Sequence, residues 1–531
     1  MLVLAGLFIH SCASFDEINT DPTRPTEVLT PGILTQVERN IAYNYYDSWQ
    51  GMRMNGVISQ KWAQRIYTEE DRYSFTGRTG TIANFFNYTY SYTELANQII
   101  IINENTPEEA SVYGDNKLQI ASAKILRAWL IFQNAETFGD IPYSEANDVM
   151  NNPTPKYEKQ EFIYKDLIRE LKEINTTLSS VTRGWTRGDI LFSGNPDKWR
   201  RFGNSIRLMI AMRMSNVEPA FSASEADAAI ADGVIRDNGD NAVFKFGAMG
   251  TPNEHSIYST FASRMDFLPS WQFVNLLHGR DDDNIGFKNP FSGIVDPRFV
   301  QFVQSPADQR AGLTPRIDAM PMGLLNVDNN NVWSSLSTET RITYGPTSGR
   351  ADDILPKPIQ ATFWSTLIDY PNVALFMAER QGNDRELFQK GIQASLDIWG
   401  ISKEDADTYL AAVMAKFDAA DAEGKFEMII TQKYIHNFAH FDQETVFEYR
   451  RTEYPKSIVL PGQQSGGTYT IGGQEKTYVF TPMDGSTIFL QRMLYPTTER
   501  NYNKENLDAA IVSMGGDEQN IPLYYAKKYR K

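Results

Sequence analysis

The stretch that decides the fold is AKILRAWLIFQNAETFGDIPYSEA, residues 123–146, in which a helical pattern ends abruptly in a turn. Gly139 can adopt the left-handed backbone conformation that ends a helix. Asp140 can accept backbone hydrogen bonds within the turn, and Pro142 prevents the helix from continuing. We expect Tyr143 to pack back onto the helices. The turn is therefore predicted to be structural rather than ligand-binding.

Apolar residues on both sides of this turn recur at steps of three and four, which places each set on one face of a helix. The stripe that runs into the turn is Leu118, Ala121, Ile125, Ala128, Phe132 and Ala135. Further stripes begin at Tyr164, Trp199, Ala226, Leu387 and Phe426. Their spacing, roughly 35–45 residues for two helices, is typical of helix–turn–helix repeats, although no strict tetratricopeptide consensus is present. The tryptophans that fit helical faces and are predicted to be core are Trp49, Trp62, Trp129, Trp199 and Trp271.

Long polar and aromatic stretches separate these helices. Residues 235–350 and 455–487 are rich in Gly, Pro, Asn and Asp, and the run from Gly467 to Phe480 predicts a hairpin. Long loops in a compact body usually carry function. We therefore expect a mainly α fold: one body over residues 31–531, in which a helical scaffold supports a loop-rich region with minor β-hairpins.

Composition excludes several classes of function. The chain has 531 residues and a net charge of −15, and no Lys/Arg-rich run interrupts this acidity, so nucleic acid is not an expected partner. Its single cysteine can form neither an internal disulfide nor a zinc site of the cysteine-cluster type. No GxSxG elbow, P-loop or GxGxxG fingerprint appears, so we predict neither an enzyme nor a cofactor.

The first twelve residues are typical of an export signal. Residues 1–9 are all apolar. A run of this length matches the apolar core of a secretory signal and is too short for a membrane-spanning helix. Cys12 follows a small residue, which is similar to the lipobox of bacterial lipoproteins. We predict a signal peptide over residues 1–12 that ends at a lipidated Cys12, and a polar tether over residues 13–30. The alternative is an apolar N-terminus with an incidental cysteine. No later stretch is long and apolar enough to span a membrane.

Taken in chain order, these blocks resemble the SusD/RagB family of outer-membrane nutrient-binding lipoproteins of Bacteroidetes, and most closely its SusD-like type 2 branch. The helix and turn of residues 123–146 are the most specific part of the likeness. The other similar blocks are Phe15–Pro22, Asp296–Arg298, Ala378–Gly382, Glu448–Pro455 and Arg492–Asn506.

This resemblance implies a non-catalytic protein that a lipid holds on the outer face of the outer membrane. It implies tetratricopeptide-like helix pairs as the scaffold and a ligand site in the irregular remainder. It also implies a partner, a SusC-like TonB-dependent transporter, to which the protein delivers captured nutrient, usually an oligosaccharide. Two alternatives stay open: a peptide ligand in the same role, or a surface-anchored glycoside hydrolase.

Sugar recognition needs a flat aromatic ring beside polar groups, because a sugar offers apolar C–H faces and a rim of hydroxyls. Arginine suits this rim, since its guanidinium donates in a planar fork. The candidate ligand-binding residues in such settings are Trp333 with Arg341 and Tyr344, Tyr67 with Arg72 and Tyr73, Trp364, and Trp185. Each ring could instead cover the core.

Two groups of residues raise the question of a metal. The acidic run of residues 281–284 makes Asp281 and Asp283 weak calcium candidates, although it lacks the spacing of an EF-hand and a solvated turn is favoured. His436 and His440 share one helical face, but no intervening acid gives the HExxH arrangement. We therefore predict no metal site.

Overall fold

The structure is a computed structural model, and it describes residues 29–261, 264, 266–311, 319–336 and 349–528. The predicted signal peptide, the lipidation site Cys12 and nearly all of the tether lie outside these residues. So do Arg341 and Tyr344, the two predicted neighbours of Trp333.

Helices dominate the described part of the chain, which confirms the mainly α prediction. Those of eight or more residues are α1 (Thr30–Asn44), α2 (Thr79–Asn105), α3 (Asn116–Phe138), α4 (Gln160–Leu178), α5 (Pro196–Arg213), α6 (Pro219–Asp232), α7 (Asn326–Ser335), α8 (Tyr370–Arg380), α9 (Arg385–Trp399), α10 (Lys403–Ala419), α11 (Ala422–His436), α12 (Asp442–Thr452) and α13 (Lys504–Met514). Shorter helices span Pro107–Ser111, Ser256–Phe261, Trp271–Leu277, Arg298–Val303, Pro306–Arg310 and Thr497–Tyr502.

The predicted stripes coincide with α3, α4, α5, α6, α9 and α11, so those six helices are confirmed. Neighbours along the chain pack together: α2 on α3, α4 on α5, α5 on α6, and α8 on α9. The other seven helices of eight or more residues had no predicted stripe: α1, α2, α7, α8, α10, α12 and α13. The face of α2 is rich in Tyr and Thr, and nearly every residue of α12 is buried, so neither shows a single apolar stripe.

Strands occur only as short antiparallel pairs in the described part of the chain. β1 (Trp62–Gln64) pairs with β5 (Phe267–Pro269), β2 (Ile141–Pro142) with β3 (Tyr157–Glu158), β4 (Ala242–Lys245) with β6 (Trp364–Ile368), and β7 (Tyr469–Ile471) with β8 (Gln474–Lys476). The last pair is the predicted hairpin. The first pair joins segments about two hundred residues apart and sets Trp62 opposite Pro269.

The turn after α3 has the predicted structural role. Gly139 has φ +95°, and a Cβ there would come within 2.5 Å of the Met514 methyl group. The Tyr143 hydroxyl donates to Asp166 on α4 at 2.8 Å, so the ring does pack back onto the helices. Asp140 differs from its prediction: it accepts from the backbone N–H of Gln160 at 2.9 Å, and so it caps α4 rather than its own turn.

The region 235–350 is less irregular than predicted. It contains strands β4 and β5, helix α7 and several helices of five to seven residues. Such short helices are marginal in isolation, because nucleation is costly, and they form here through packing. Their local sequence, rich in Gly, Pro, Asn and Asp, therefore does not reveal them.

The tryptophans test the predicted core. Trp62, Trp129 and Trp199 are completely buried, as predicted, and Trp271 is half-buried against the core. Trp49 was predicted to be core and that prediction is wrong, since 46% of it is exposed. It lies in a π-helix (Ser48–Gly56), where the backbone N–H groups of Trp49 and Gln50 donate to Asp47. The chain therefore begins a new helix after Asp47, so Trp49 does not extend the buried face of α1.

Candidate functional site

Three aromatic side chains at the surface lie beside arginines, and we call this group the aromatic–arginine surface: Trp49, Tyr67 and Trp333 with Arg53, Arg65, Arg78, Arg264 and Asp266. The rings come from three separate segments, the π-helix, the loop after β1, and α7. Trp49 and Tyr67 are 46% and 44% exposed, and Trp333 is half-buried.

Each ring has a guanidinium within cation–π range, which is about 6 Å from the ring centroid. The Arg53 and Arg78 guanidinium carbons lie 5.2 and 5.8 Å from the Trp49 centroid. Arg264 lies 5.0 Å from the centroid of Tyr67. The third pair is Arg65 and Trp333, at 4.8 Å.

Asp266 joins the three pairs into one surface. Its carboxylate accepts from Arg53 at 2.7 Å and forms an ion pair with Arg264 at 2.8 Å, and its backbone carbonyl accepts from the Arg65 N–H at 2.7 Å. It directly precedes β5, whose pairing with β1 brings it beside Arg65. The Asp266 carboxylate therefore holds the arginines beside Trp49 and Tyr67, and its backbone carbonyl fixes the backbone of Arg65, the residue beside Trp333.

Helix α7 is held against the loop after β1 by two amide side chains. Asn326 accepts from the Thr68 backbone N–H at 3.2 Å, and Asn329 donates to the Gln64 carbonyl at 2.5 Å. These bonds explain why an Asn-rich segment with low helix propensity is helical here. They also correct the prediction that Trp333 lies in a loop.

Charge at the surface is partly balanced. Glu70, fully buried, pairs with Arg78 and lies 3.6 Å from Arg53. Burial lowers the pKa of Arg53, against the effect of Glu70 and Asp266, yet an arginine remains charged at neutral pH. A hydrogen bond to Asp266 raises the pKa of Arg264. The surface thus presents permanent N–H donors beside apolar rings.

The structure separates the predicted candidates. Tyr67 and Trp333 come together, as just described. Arg72 turns away, because its Nε donates to the Thr481 carbonyl at 3.2 Å. Tyr73 is completely buried and packs edge-on against Phe480 at 5.2 Å, so the prediction that it binds ligand beside Tyr67 is wrong. A left-handed backbone at Tyr73, with φ 60°, turns this side chain inward.

Two other tryptophan candidates lie elsewhere. Trp185 is only 5% exposed, and its indole N–H donates to Ser122 at 3.1 Å, so the structure assigns it to the scaffold core and not to a ligand site. Trp364 begins β6 and stacks in a cluster with Phe363 at 4.3 Å and Trp399 at 5.1 Å. Trp364 is half-buried against the core, and it is not part of the aromatic–arginine surface.

Sequence reasoning missed Trp49 as a site residue, and it missed all four arginines of this surface. One signal for Trp49 was available: Asp47-Ser48 before an apolar residue is a helix-start pattern, which places Trp49 in a first turn. No spacing in the sequence links Arg65 to Trp333 or Arg264 to Tyr67, because those contacts join segments about two hundred residues or more apart.

Neither group of possible metal ligands is free. Lys288 forms ion pairs with Asp281 at 3.4 Å and with Asp283 at 2.6 Å, so both carboxylates already have a cationic partner. Asp369 joins His436 and His440 in a buried triad whose ligand atoms lie within 4.8 Å of one another. Every ring nitrogen of this triad has a hydrogen-bond partner in the chain, which makes it a structural network.

The sequence profile of the SusD-like type 2 family, described as starch-binding and associating with the outer membrane, matches residues 22–469. This chain belongs to that family. Its members are binding proteins and not enzymes, which confirms the non-catalytic prediction. Comparison with curated protein sequences gives no match. Among the described residues, no helix is long and apolar enough to cross a membrane.

Solved structures share the fold over almost the whole chain. One, named a chitin-binding protein, has a TM-score of 0.69 at 22% identity and covers 94% of this chain and 99% of its own. A chitin-binding SusD homologue from Flavobacterium johnsoniae has a TM-score of 0.66 at 20% identity, covering 93% and 98%. A SusD homologue from Bacteroides thetaiotaomicron gives 0.68 at 20% identity, covering 95% and 100%. At these identities the likeness concerns the fold.

Proposed function

We propose that this protein binds an oligosaccharide at the aromatic–arginine surface and passes it to a SusC-like TonB-dependent transporter for import. The observation that carries the proposal is the contiguity of Trp49, Tyr67 and Trp333 through Asp266. The description of the family as starch-binding, and two structural relatives named as chitin-binding, support a glycan as the ligand.

The chemistry of the surface suits a sugar chain. The apolar C–H face of a sugar ring can lie on an exposed indole or phenol ring, and hydroxyls at its rim can accept from the arginines. Because the rings lie on folded segments, the π-helix, the loop after β1 and α7, binding requires little ordering of the backbone that carries them. Each ring contact contributes on the order of 1 kcal/mol beyond the buried area. The resulting affinity is weak enough for release to a transporter.

Anchoring at Cys12 completes the proposal. A lipid on this residue would keep the binding surface beside its transporter and raise the effective concentration of ligand there. Mass spectrometry of the native N-terminus tests this point: we expect an acylated Cys12, and release of a Cys12→Ala variant into the soluble fraction. An unmodified Cys12 in the native protein would overturn it.

The transporter partner is tested separately. Protein isolated from its native outer membrane in mild detergent is expected to co-purify with a TonB-dependent barrel. Recovery of the acylated protein without any such barrel would contradict the delivery role and leave glycan binding to be judged by its own experiment.

Glycan binding is tested by calorimetry with maltoheptaose and chitohexaose. We expect at least one of them to bind without being cleaved. Trp49→Ala and Trp333→Ala should each weaken binding about tenfold, a loss of about 1.4 kcal/mol. The matched control is Tyr502→Ala, which removes a ring that is 79% exposed on the short helix Thr497–Tyr502 and should change nothing.

Three outcomes would overturn the proposal. Equal affinity of the wild type and both tryptophan variants would remove the aromatic–arginine surface as the site. Binding of peptides but of no glycan would change the ligand class. Turnover of the glycan at catalytic protein concentrations would indicate a hydrolase.

A further inference from the structure

A second site is suggested by a cavity of about 390 Å³ that shares no residue with the aromatic–arginine surface. It lies where α12 ends. Residues 449–463 and 487–491 form most of its lining, and residues 285–286 and 528 complete it. Its volume falls within the roughly 300–1,000 Å³ of small-molecule pockets.

Positive charge is concentrated on the lining of this cavity. Arg450, Lys456 and Lys528 line it together with one carboxylate, that of Glu453. Lys528 pairs with Glu453 at 2.9 Å, which leaves the other two cations in excess. The chain as a whole carries a net charge of −15, so this local excess is opposite in sign to the overall charge.

Neither Arg450 nor Lys456 has an ion-pair partner within 4.0 Å in the part of the chain that the structure describes. Arg450 is buried and donates to two neutral backbone carbonyls, those of Leu490 at 3.1 Å and Glu136 at 3.0 Å. Lys456 is exposed, and its ammonium lies 4.5 Å from the centroid of the Tyr454 ring. Burial raises the pKa of the neighbouring Glu427 to about 7, against the effect of Lys456.

The remaining lining combines apolar and polar groups. The Tyr449 and Phe489 rings lie 4.4 Å apart, and Ile458 and Leu460 extend this apolar wall. Gln491 also lines the cavity. Its side-chain oxygen is buried and has no hydrogen-bond partner among the described residues. Buried polar atoms without partners are uncommon and costly, which favours a ligand that donates a hydrogen bond here.

We propose that this cavity binds a sugar acid, a ligand of the size of a hexuronate with one carboxylate, an apolar ring face and hydroxyl donors. The carboxylate neutralises the charge of Lys456 and Arg450, the ring face lies on the apolar wall, and a hydroxyl supplies the missing donor for Gln491. The site is independent of the proposed glycan surface.

Calorimetric titration at fixed ionic strength with D-glucuronate, D-glucose and N-acetylphenylalanine tests the proposal. Glucuronate should bind at least tenfold more tightly than either of the others, since glucose lacks the carboxylate and N-acetylphenylalanine lacks the hydroxyls. Lys456→Met should weaken glucuronate binding at least fivefold, and Lys456→Arg should retain most of it. Lys456 is exposed, so neither variant should disturb the fold.

Two further variants locate the effect. Lys403→Met removes an ammonium that is exposed on α10 and should leave glucuronate binding unchanged, as should Trp333→Ala. Equal binding of glucuronate and glucose, preference for N-acetylphenylalanine, or equal affinity of Lys456→Met and Lys403→Met would each overturn the proposal. Loss of glucuronate binding in Trp333→Ala alone would place the acid at the aromatic–arginine surface and would also overturn it.

Discussion

Arginines organise two regions of this molecule in opposite ways. In the scaffold, Arg213 is completely buried and donates to Glu136, Glu444 and Glu448. At the aromatic–arginine surface, Arg264 is half-exposed and shares Asp266 with Arg53. In the first arrangement all three guanidinium nitrogens donate to carboxylates inside the protein. The second leaves donors and ring faces toward solvent, where a ligand can reach them.

The buried network connects the helical repeats. Glu136 lies on α3, Arg213 on α5, and Glu444 and Glu448 on α12, while Lys433 on α11 and Arg451 on α12 add further ion pairs. Burial raises the pKa of Glu136 to about 7, against the effect of Arg213. A buried cluster of this kind is costly to break, because removal of one partner leaves the others charged and desolvated.

The largest effect is therefore expected from Arg213→Met. Removal of this guanidinium leaves three buried carboxylates and should lower the free energy of unfolding by about 3–5 kcal/mol. Urea denaturation followed by circular dichroism measures the loss. A loss below about 1 kcal/mol would show that the scaffold network behaves like a surface ion pair.

A pH-dependent effect is expected from a buried histidine of the loop-rich region. His255 packs between Phe246 and Phe363, and burial lowers its pKa to about 3. Between pH 6.5 and pH 3, His255 binds a proton in the unfolded chain but not in the folded protein. The contribution of His255 alone should therefore lower the free energy of unfolding by about 1.4 kcal/mol for each pH unit between 6.5 and 3.

The variant His255→Phe isolates this contribution, since other groups titrate equally in both proteins. The stability difference between wild type and variant should move in favour of the variant as the pH falls, in denaturation series measured from pH 7 to pH 4.5. A pH-independent difference would mean that His255 binds its proton as readily in the folded protein as in the unfolded chain, and that the loop-rich region lacks a dry core of its own.

A smaller effect is expected from Trp185→Phe. The substitution removes the indole N–H that Ser122 accepts, and it leaves a gap in a packed core. Loss of a buried hydrogen bond together with its desolvation effect costs about 1–2 kcal/mol. Thermal unfolding should show this loss, with oligosaccharide affinity unchanged. Reduced oligosaccharide affinity at unchanged stability would indicate that Trp185 contacts the ligand.

The smallest effect on stability is expected from Arg264→Met. Surface ion pairs contribute about 0–1 kcal/mol, so the loss should lie within that range. Oligosaccharide affinity should fall nonetheless, because Tyr67 loses its neighbouring donor. Calorimetry and denaturation of the same preparation give both values. A stability loss as large as that of Arg213→Met would show that Arg264 supports the fold as strongly as the buried Arg213 does.

The sequence predicts the structure of the scaffold better than that of the aromatic–arginine surface. Helices such as α3 and α4 follow from apolar spacing, because one face of each meets the core. Helix α7 does not, because contacts of Asn326 and Asn329 with a distant loop stabilise it. The sequence identified Trp333 and Tyr67 by residue type and polar neighbours. It could not identify Arg65 or Arg264 as their partners. The pairing of β1 with β5 brings Arg264 to Tyr67, and the contacts of α7 bring Trp333 to Arg65, only in the folded chain.

A crystal structure of the protein with a bound oligosaccharide tests the central claim most directly. We predict sugar rings within van der Waals contact of Trp49, Tyr67 or Trp333, with at least one hydroxyl hydrogen-bonded to an arginine of the same surface. A neutral oligosaccharide bound only elsewhere, beside Trp364 or in the cavity at the end of α12, would contradict the claim.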